Sequence, residues 1–297
     1  MHNLKKKIKL SRLLEQIEVD AFSEKNIKIL DECHLKAKGH VLGITGPPGV
    51  GKSTLIDKII SIIRKKKKTV GVIAIDPSSS KSGGALLGDR TRFLLDPNDN
   101  GIFVRSMAAK DYLGGVSELT FPSMVVMRSI FDFLIIETVG VGQSETSISN
   151  IADTVILCVQ PGSGDTIQFM KSGVFEIPDI IVITKSDLEK LSNQTFSDLS
   201  GSSSFFKNNQ WDIKILMTSA HNNNGLDTLL NEINNRWEWL TMENKIDEKR
   251  LLQDLEWIKS CILREFGNLG VKKIFKKINY KNKPFGYLSK VLKSFKF

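Results

Sequence analysis

The sequence predicts an α/β protein in three layers: a mostly parallel sheet between two layers of helices, with helical extensions at both ends. Three observations predict it. Short apolar runs alternate with helical periodicities, and Gly, Pro or Ser stands between them. The turn 46-GPPGVGKST-54 joins an apolar run to an amphipathic stretch. From Gly225 onward the patterns are helical, and no further strand is predicted. Strands joined through helices run parallel and are covered on both faces, so they read as continuous apolar runs.

Taken in order, MHNLKKKIKLSRLLEQIEVD (1–20) is basic at first and has no apolar h-region. It predicts a surface helix, not a signal segment. HVLGIT (40–45) predicts a buried strand. KSTLIDKIISIIRKKKK (52–68) predicts a helix with Leu55, Ile56, Ile59, Ile60 and Ile63 on one face and a solvated basic C-terminus. Strands follow at TVGVIAID (69–76), GIFVRS (101–106), FLIIE (133–137), TVILCVQ (154–160), DIIVITK (179–185) and DIKILMTS (212–219). The polar stretch 191–210 predicts a loose helix and loop, and GLDTLLNEINNRWEWL (225–240) a helix. The expected division is an N-terminal helical extension (1–38), an α/β domain (39–240) and a helical, Lys-rich arm (241–297).

The 297 residues are 41% hydrophobic and 25% charged, the balance of a water-soluble chain with a full core. No apolar stretch approaches the roughly 18–20 residues that span a bilayer. Cys33, Cys158 and Cys261 are scattered, give no metal-type spacing, and point to a reducing, cytoplasmic setting. Cys158 lies in an apolar run and reads as a small core residue. The net charge of +9 suggests nucleic acid until its distribution is read. Nine Lys and no Asp or Glu lie between Val271 and Phe297; without them, 33 basic residues face 33 acidic ones. In that tail Ile274, Phe275 and Ile278, then Val291, Leu292 and Phe295 beyond Pro284, fall at helical spacing. The favoured reading is an arm that packs its apolar face on its own domain or a second subunit and keeps its Lys in water. Contact with an anionic membrane or with RNA is the alternative.

The turn at 46–54 matches G-x-x-x-x-G-K-[ST], with the strand before it and the helix after it that a phosphate-binding loop requires. The backbone of Gly46, Pro47, Pro48, Gly49, Val50 and Gly51 curls so that its N–H groups face phosphate oxygens. Lys52 neutralises the β/γ-phosphates, Ser53 is placed to ligate Mg²⁺, and Thr54 completes the loop at the helix N-terminus. Ligands of a parallel sheet sit at the carboxyl ends of its strands. Asp76 and Glu137 each end one, and both are candidates for the Mg²⁺ shell, directly or through water. Glu137 occupies the Walker-B position; the plainer alternative is that it caps the following turn. Gly140 follows at the E-T-V-G spacing that lets a backbone N–H bond a γ-phosphate, which makes a switch. Lys52, Glu137 and Gly140 are the candidate catalytic set.

IVITKSD (181–187) ends a strand in T-K-S-D, close to the N-K-x-D that reads guanine. The Asp187 carboxylate would accept from guanine N1–H and the exocyclic amine, with the Lys185 stem on the ring. Adenine offers no such donor pair and would leave the carboxylate unmet. Thr184 stands where that motif has Asn. After the next strand, Ser219, Ala220 and His221 resemble the last base-contacting loop of GTPases. The nucleotide is therefore expected to be GTP.

AIDPSSSKSGGALLGDRTRF, VRSMA with LGGVS, IIETVGVGQSE and PGSGD.IQ..K.G.FE..DI, in that order, resemble the MeaB/ArgK-type GTPases over roughly Gly39 to Leu230. The resemblance implies the P-loop NTPase fold, GTP and Mg²⁺ as ligands, slow hydrolysis and a homodimer. It further implies a client, an adenosylcobalamin-dependent acyl-CoA mutase of the methylmalonyl-CoA mutase type, which the GTPase protects or loads with cofactor. By the same resemblance Asp76 and Asp89 are acidic residues near the metal. Asp165, Gln168 and Lys171 belong to a loop that responds to the partner, with Ser172 where relatives often carry a second Lys. Two other functions compete: a kinase of a transport protein or small molecule, and a GTP-gated module that binds nucleic acid or membrane through the basic tail.

Overall fold

The computed structural model describes residues 2–76, 96, 99–108, 119–138, 147–162, 177–201, 211–274 and 282–294. Helix α1 (His2–Val19) leads into α2 (Glu24–Leu35), which starts at Ser23, whose hydroxyl accepts from Asn26 N. α1 is more than a surface helix. Leu10, Leu14 and Ile17, one helical stripe, are buried in the core. Strand β1 (His40–Thr45) then runs into the glycine turn and α3 (Lys52–Lys65). There follow β2 (Val70–Asp76), β3 (Ile102–Ala108), α4 (Thr120–Ile130), β4 (Phe133–Glu137), β5 (Thr154–Val159) and β6 (Ile180–Ile183). After them come α5 (Glu189–Gly201), β7 (Lys214–Met217), α6 (Leu226–Thr241), α7 (Lys245–Ile274) and α8 (Pro284–Ser294). Inside α7 the backbone kinks at Gly267.

The strands form one sheet in the order β3-β2-β4-β1-β5-β6-β7, and every pairing among them is parallel. The chain leaves β1 toward β2 on one side and later reaches β5 on the other. The carboxyl end of β1 is therefore the topological switch point, where such sheets bind ligands. Side chains alternate across the sheet. Leu42, Ile44 and Val72 meet α3 and α6 through Leu55, Ile59, Leu229 and Ile233. Val41, Ile73 and Ile136 meet the other layer, which holds Leu14 of α1, Val125 of α4, Ile258 of α7 and Phe285 of α8. A smaller cluster seats Leu199 of α5 on Leu157 and Ile181.

Helix α8 lays Phe285, Leu288 and Val291 into the same core as α1 and α2. Its start is tied to α2, because Asp31 accepts from Phe285 N at 3.2 Å and Gly286 N at 3.1 Å. This part of the Lys-rich arm packs on its own chain, as one branch of the sequence reading expected. At the end of α3, Arg64 forms an ion pair with Asp99 at 2.7 Å, while Lys65–Lys68 are exposed. The three cysteines are free, and burial pushes the Cys158 thiol up to about 12. Among the described residues no helix is long and apolar enough to cross a membrane.

Candidate functional site

The glycine turn lies at the switch point, between β1 and α3. Gly46 has φ 138, and a Cβ there would collide with the Cys158 carbonyl of β5. The close approach of the loop to its neighbouring strand therefore requires glycine. Lys52, in the first turn of α3, donates to the carbonyls of Gly46 at 2.6 Å and Pro47 at 3.0 Å. The loop thus holds its ammonium in place. Ser53 follows it and donates from Oγ to Glu137 Oε1 at 2.8 Å. Glu137 is placed by register: Ile44 of β1 pairs with it, so the last residue of β4 lies beside the start of the loop. The next residue, Thr138, donates to the Thr45 hydroxyl at 3.0 Å and locks the two strand ends together.

Ser53 and Glu137 bring two hard oxygen donors to one point, and the carboxylate is 2% exposed. That donor chemistry suits Mg²⁺, which takes oxygen ligands and few carboxylates. Adjacent ligands of a Mg²⁺ octahedron lie about 3 Å apart, close to the 2.8 Å between these two oxygens. The residues fit the ion. Asp76 ends β2, two residues beyond Ala74, which pairs with Glu137.

The base-reading candidates come from β6 and from the loop after β7. Thr184 donates to the Val50 carbonyl of the phosphate loop at 2.6 Å, with Val159 O at 3.1 Å. Its hydroxyl thus does the bracing that an Asn amide would supply. Lys185 has φ 51 and donates to Gly49 O at 2.8 Å and Gln160 Oε1 at 3.1 Å. Asp187 accepts from the Ser219 hydroxyl at 2.6 Å. That hydrogen bond, then a backbone N–H, holds the Asp187 carboxyl below its ordinary value, so it is an ionised acceptor at neutral pH. Ser219 also accepts from Asn222 N and pairs through its backbone with Asn224. This closes the loop that carries Ala220 and His221. The loop returns to α6 through Gly225, at φ 72, where a Cβ would strike the Met217 carbonyl.

These pieces enclose a pocket of ≈ 220 Å³, lined by Gly51, Thr54, Thr184, Lys185, Asp187 and Ala220 among others. The end of the phosphate loop and the base-reading candidates therefore share one cavity. Asp89, Gly140, Asp165, Gln168, Lys171 and the side chain of Asp76 lie outside the described residues. The sequence reading missed Gln160 and the Thr45–Thr138 pair. Each acts by long-range register, which no local motif signals. It also missed Asn222 and Asn224, although 221-HNNNG-225 is an evident turn.

Comparison with known proteins bears on the family and the fold. The profile of the family described as "Methylmalonyl Co-A mutase-associated GTPase MeaB" matches residues 10–272. A Pyrococcus abyssi protein assigned as a GTPase is 40% identical over 258 residues, 85% of this chain and 79% of that one. The GTPase ArgK of Escherichia coli is 34% identical over 223 residues, 73% of this chain and 67% of its own. A mouse protein, the mitochondrial methylmalonic aciduria type A homolog, is 31% identical over 226 residues, 74% of this chain and 54% of its own. Among solved structures, a LAO/AO transport system kinase superposes with TM-score 0.69 at 23% identity, covering 96% of this chain and 92% of that one. The hydrogenase maturation factor HypB of Archaeoglobus fulgidus gives 0.52 at 18%, covering 77% of this chain and 98% of that one. At those identities the likeness speaks for the fold.

Proposed function

The chain belongs to the MeaB family of GTPases, and from that premise we propose that it is a GTP-gated chaperone of an adenosylcobalamin-dependent acyl-CoA mutase. The observation that carries the nucleotide part is the shared cavity. It sets Asp187, ionised and braced by Ser219, beside a phosphate loop that ends in Lys52 and Ser53. The mutase part is carried by the family description and by the four ordered motifs that resemble it.

In this reading Asp187 accepts from the two guanine donors, and the stem of Lys185 covers the ring. The Lys52 ammonium turns from the loop carbonyls to the β/γ-phosphate oxygens and neutralises charge that grows as the γ-phosphoryl leaves. Ser53 and Glu137 would hold Mg²⁺, which when bound supplies further neutralisation of the phosphates. Water attacks the γ-phosphorus in line, the bond to the β-bridging oxygen breaks, and GDP and phosphate result. Gly140 would report the γ-phosphate through its N–H, so the loop after β4 is held before hydrolysis and released after it. The loop of Asp165, Gln168 and Lys171 is the surface proposed to feel the mutase. A homodimer is part of the same proposal.

The test is retention of partners on the immobilised protein from the source lysate, with a non-hydrolysable GTP analogue or with GDP. A cobalamin-dependent mutase should be retained with the analogue and lost with GDP. Lys52→Ala should hydrolyse no GTP and retain no mutase. Wild-type turnover in Lys52→Ala sinks the phosphate-site assignment; a mutase absent from both nucleotide states sinks the chaperone reading alone.

A further inference from the structure

Arg128 lies in the last turn of α4 and is 1% exposed, yet among the described residues none of its three guanidinium nitrogens has a hydrogen-bond partner. The other two buried arginines among the described residues each have a carboxylate partner. Arg250 meets Asp153 at 2.7 Å, and Arg236 meets Asp179 at 2.7 Å. Arg128 instead lines a cavity of ≈ 280 Å³ between α2, α4 and α7, together with His34, Ala37, Arg250, Leu251 and Asp254. The carboxylates nearby are already engaged. Asp153 takes both Arg250 and the Val41 N–H, and Asp254 takes His34 Nε2 at 2.8 Å. Asp247 also lines the cavity but is exposed.

Burial, then repulsion from Arg250, pulls the Arg128 guanidinium down to about 10 against the attraction of Asp153 and Asp254, which leaves it protonated at neutral pH. A cation withdrawn from water with unmet donors is costly until an opposite charge arrives. Asp153 and Asp254 offset part of that charge without bonding to it, so the guanidinium donors stay unmet. The planar fork matches the paired oxygens of a carboxylate or phosphate. The place is also distinct from the nucleotide loop. Gly39 N donates to Arg128 O at 2.9 Å, which sets the end of α4 at the beginning of β1. The phosphate loop begins at the far end of that strand, about 20 Å away for six residues.

We propose that the cavity between α2, α4 and α7 is a second ligand site, which takes a small oxyanion, carboxylate or phosphate, on Arg128 with Arg250 beside it. The test uses the full chain saturated with a non-hydrolysable GTP analogue and Mg²⁺, so that the γ-phosphate position is filled and added phosphate cannot report from the nucleotide loop. Thermal unfolding is followed at constant ionic strength as acetate or inorganic phosphate replaces chloride. A saturable rise of about 5 °C is expected with at least one of them, and the anion that acts identifies the ligand chemistry. Arg128→Met should lose the response while GTP hydrolysis is unchanged. Ala37→Leu narrows the cavity and leaves the guanidinium intact; it should lose the response as well, and it decides the matter if Arg128→Met does not fold. Absence of a saturable response in the unaltered protein, or a response that survives either substitution, overturns the site.

Discussion

Asp187 is the single side chain proposed to select the base. Its carboxylate offers only acceptors, and guanine presents two donors on the facing edge. Asp187→Asn puts a donor where an acceptor is needed, so affinity for GDP should fall at least about 100-fold. Xanthine, with an oxygen in place of the amine, should gain. Titration of labelled GDP and XDP checks this, and unchanged GDP affinity removes Asp187 from the base pocket. His40 makes a different prediction. Its ring stacks on Trp237 at 4.5 Å, and Nε2 lies 2.8 Å from the Thr154 hydroxyl. Burial, with Arg250, Lys249 and Arg236 adding to it against Asp153, lowers its pKa to about 3. Unfolded, His40 takes a proton below about 6.5; folded, it stays neutral. The unfolded state therefore binds more protons between those values, and stability falls as pH falls. From pH 7 to pH 5 the loss from His40 is on the order of 2 kcal/mol. Denaturant titration of His40→Gln should show a shallower slope, and an unaltered slope refutes the assignment. Asp187 could be singled out as a candidate from the sequence because T-K-S-D is local, and the structure brings it into one pocket with the end of the phosphate loop. The role of His40 could not, because its partners lie 114 and 197 residues away.

At the scale of elements, the central strands were legible because burial on both faces leaves continuous apolar runs. HVLGIT and FLIIE coincide with β1 and β4 to the residue. β6 and β7, at 4 residues each, are shorter than DIIVITK and DIKILMTS suggested, and they pair with each other over those 4 residues. α8 was half legible. Its period pointed to Val291 and Leu292, but Phe285 and Leu288 seat it more deeply. Pro284 opens the helix, where a missing N–H costs nothing. The cap comes from Asp31, 254 residues away in sequence from Phe285, and no local motif announces it. Asp31→Ala removes the acceptor for Phe285 N and Gly286 N, at a cost of about 1 kcal/mol. Hydrogen exchange should quicken across 284–294 while β1 and β4 keep their protection. Equal protection of α8 in both proteins would show that its apolar face suffices.

For the whole molecule the question is whether the terminal helices stand apart from the sheet. Asp153, fully buried ahead of β5, accepts from Val41 N of β1 at 2.9 Å, while Arg250 of α7 grips both its oxygens at 3.0 and 2.7 Å. Arg250 also donates to Gly39 O at 2.8 Å. One ion pair thus ties α7 to the amino ends of two central strands, and Trp257 and Ile258 of α7 lie in the core that holds Leu14 and Phe285. Removing one partner of a buried pair leaves an uncompensated charge, a loss of about 3–5 kcal/mol. Arg250→Ala should therefore lower Tm by about 6–10 °C, in one transition seen alike by helix and by tryptophan signals. If α7 were an appended arm, the same change would release it at a lower temperature and leave the sheet's own transition in place. Two separated transitions would sink the single-core account; one shifted transition means that the sheet and the terminal helices of the described residues unfold as a unit.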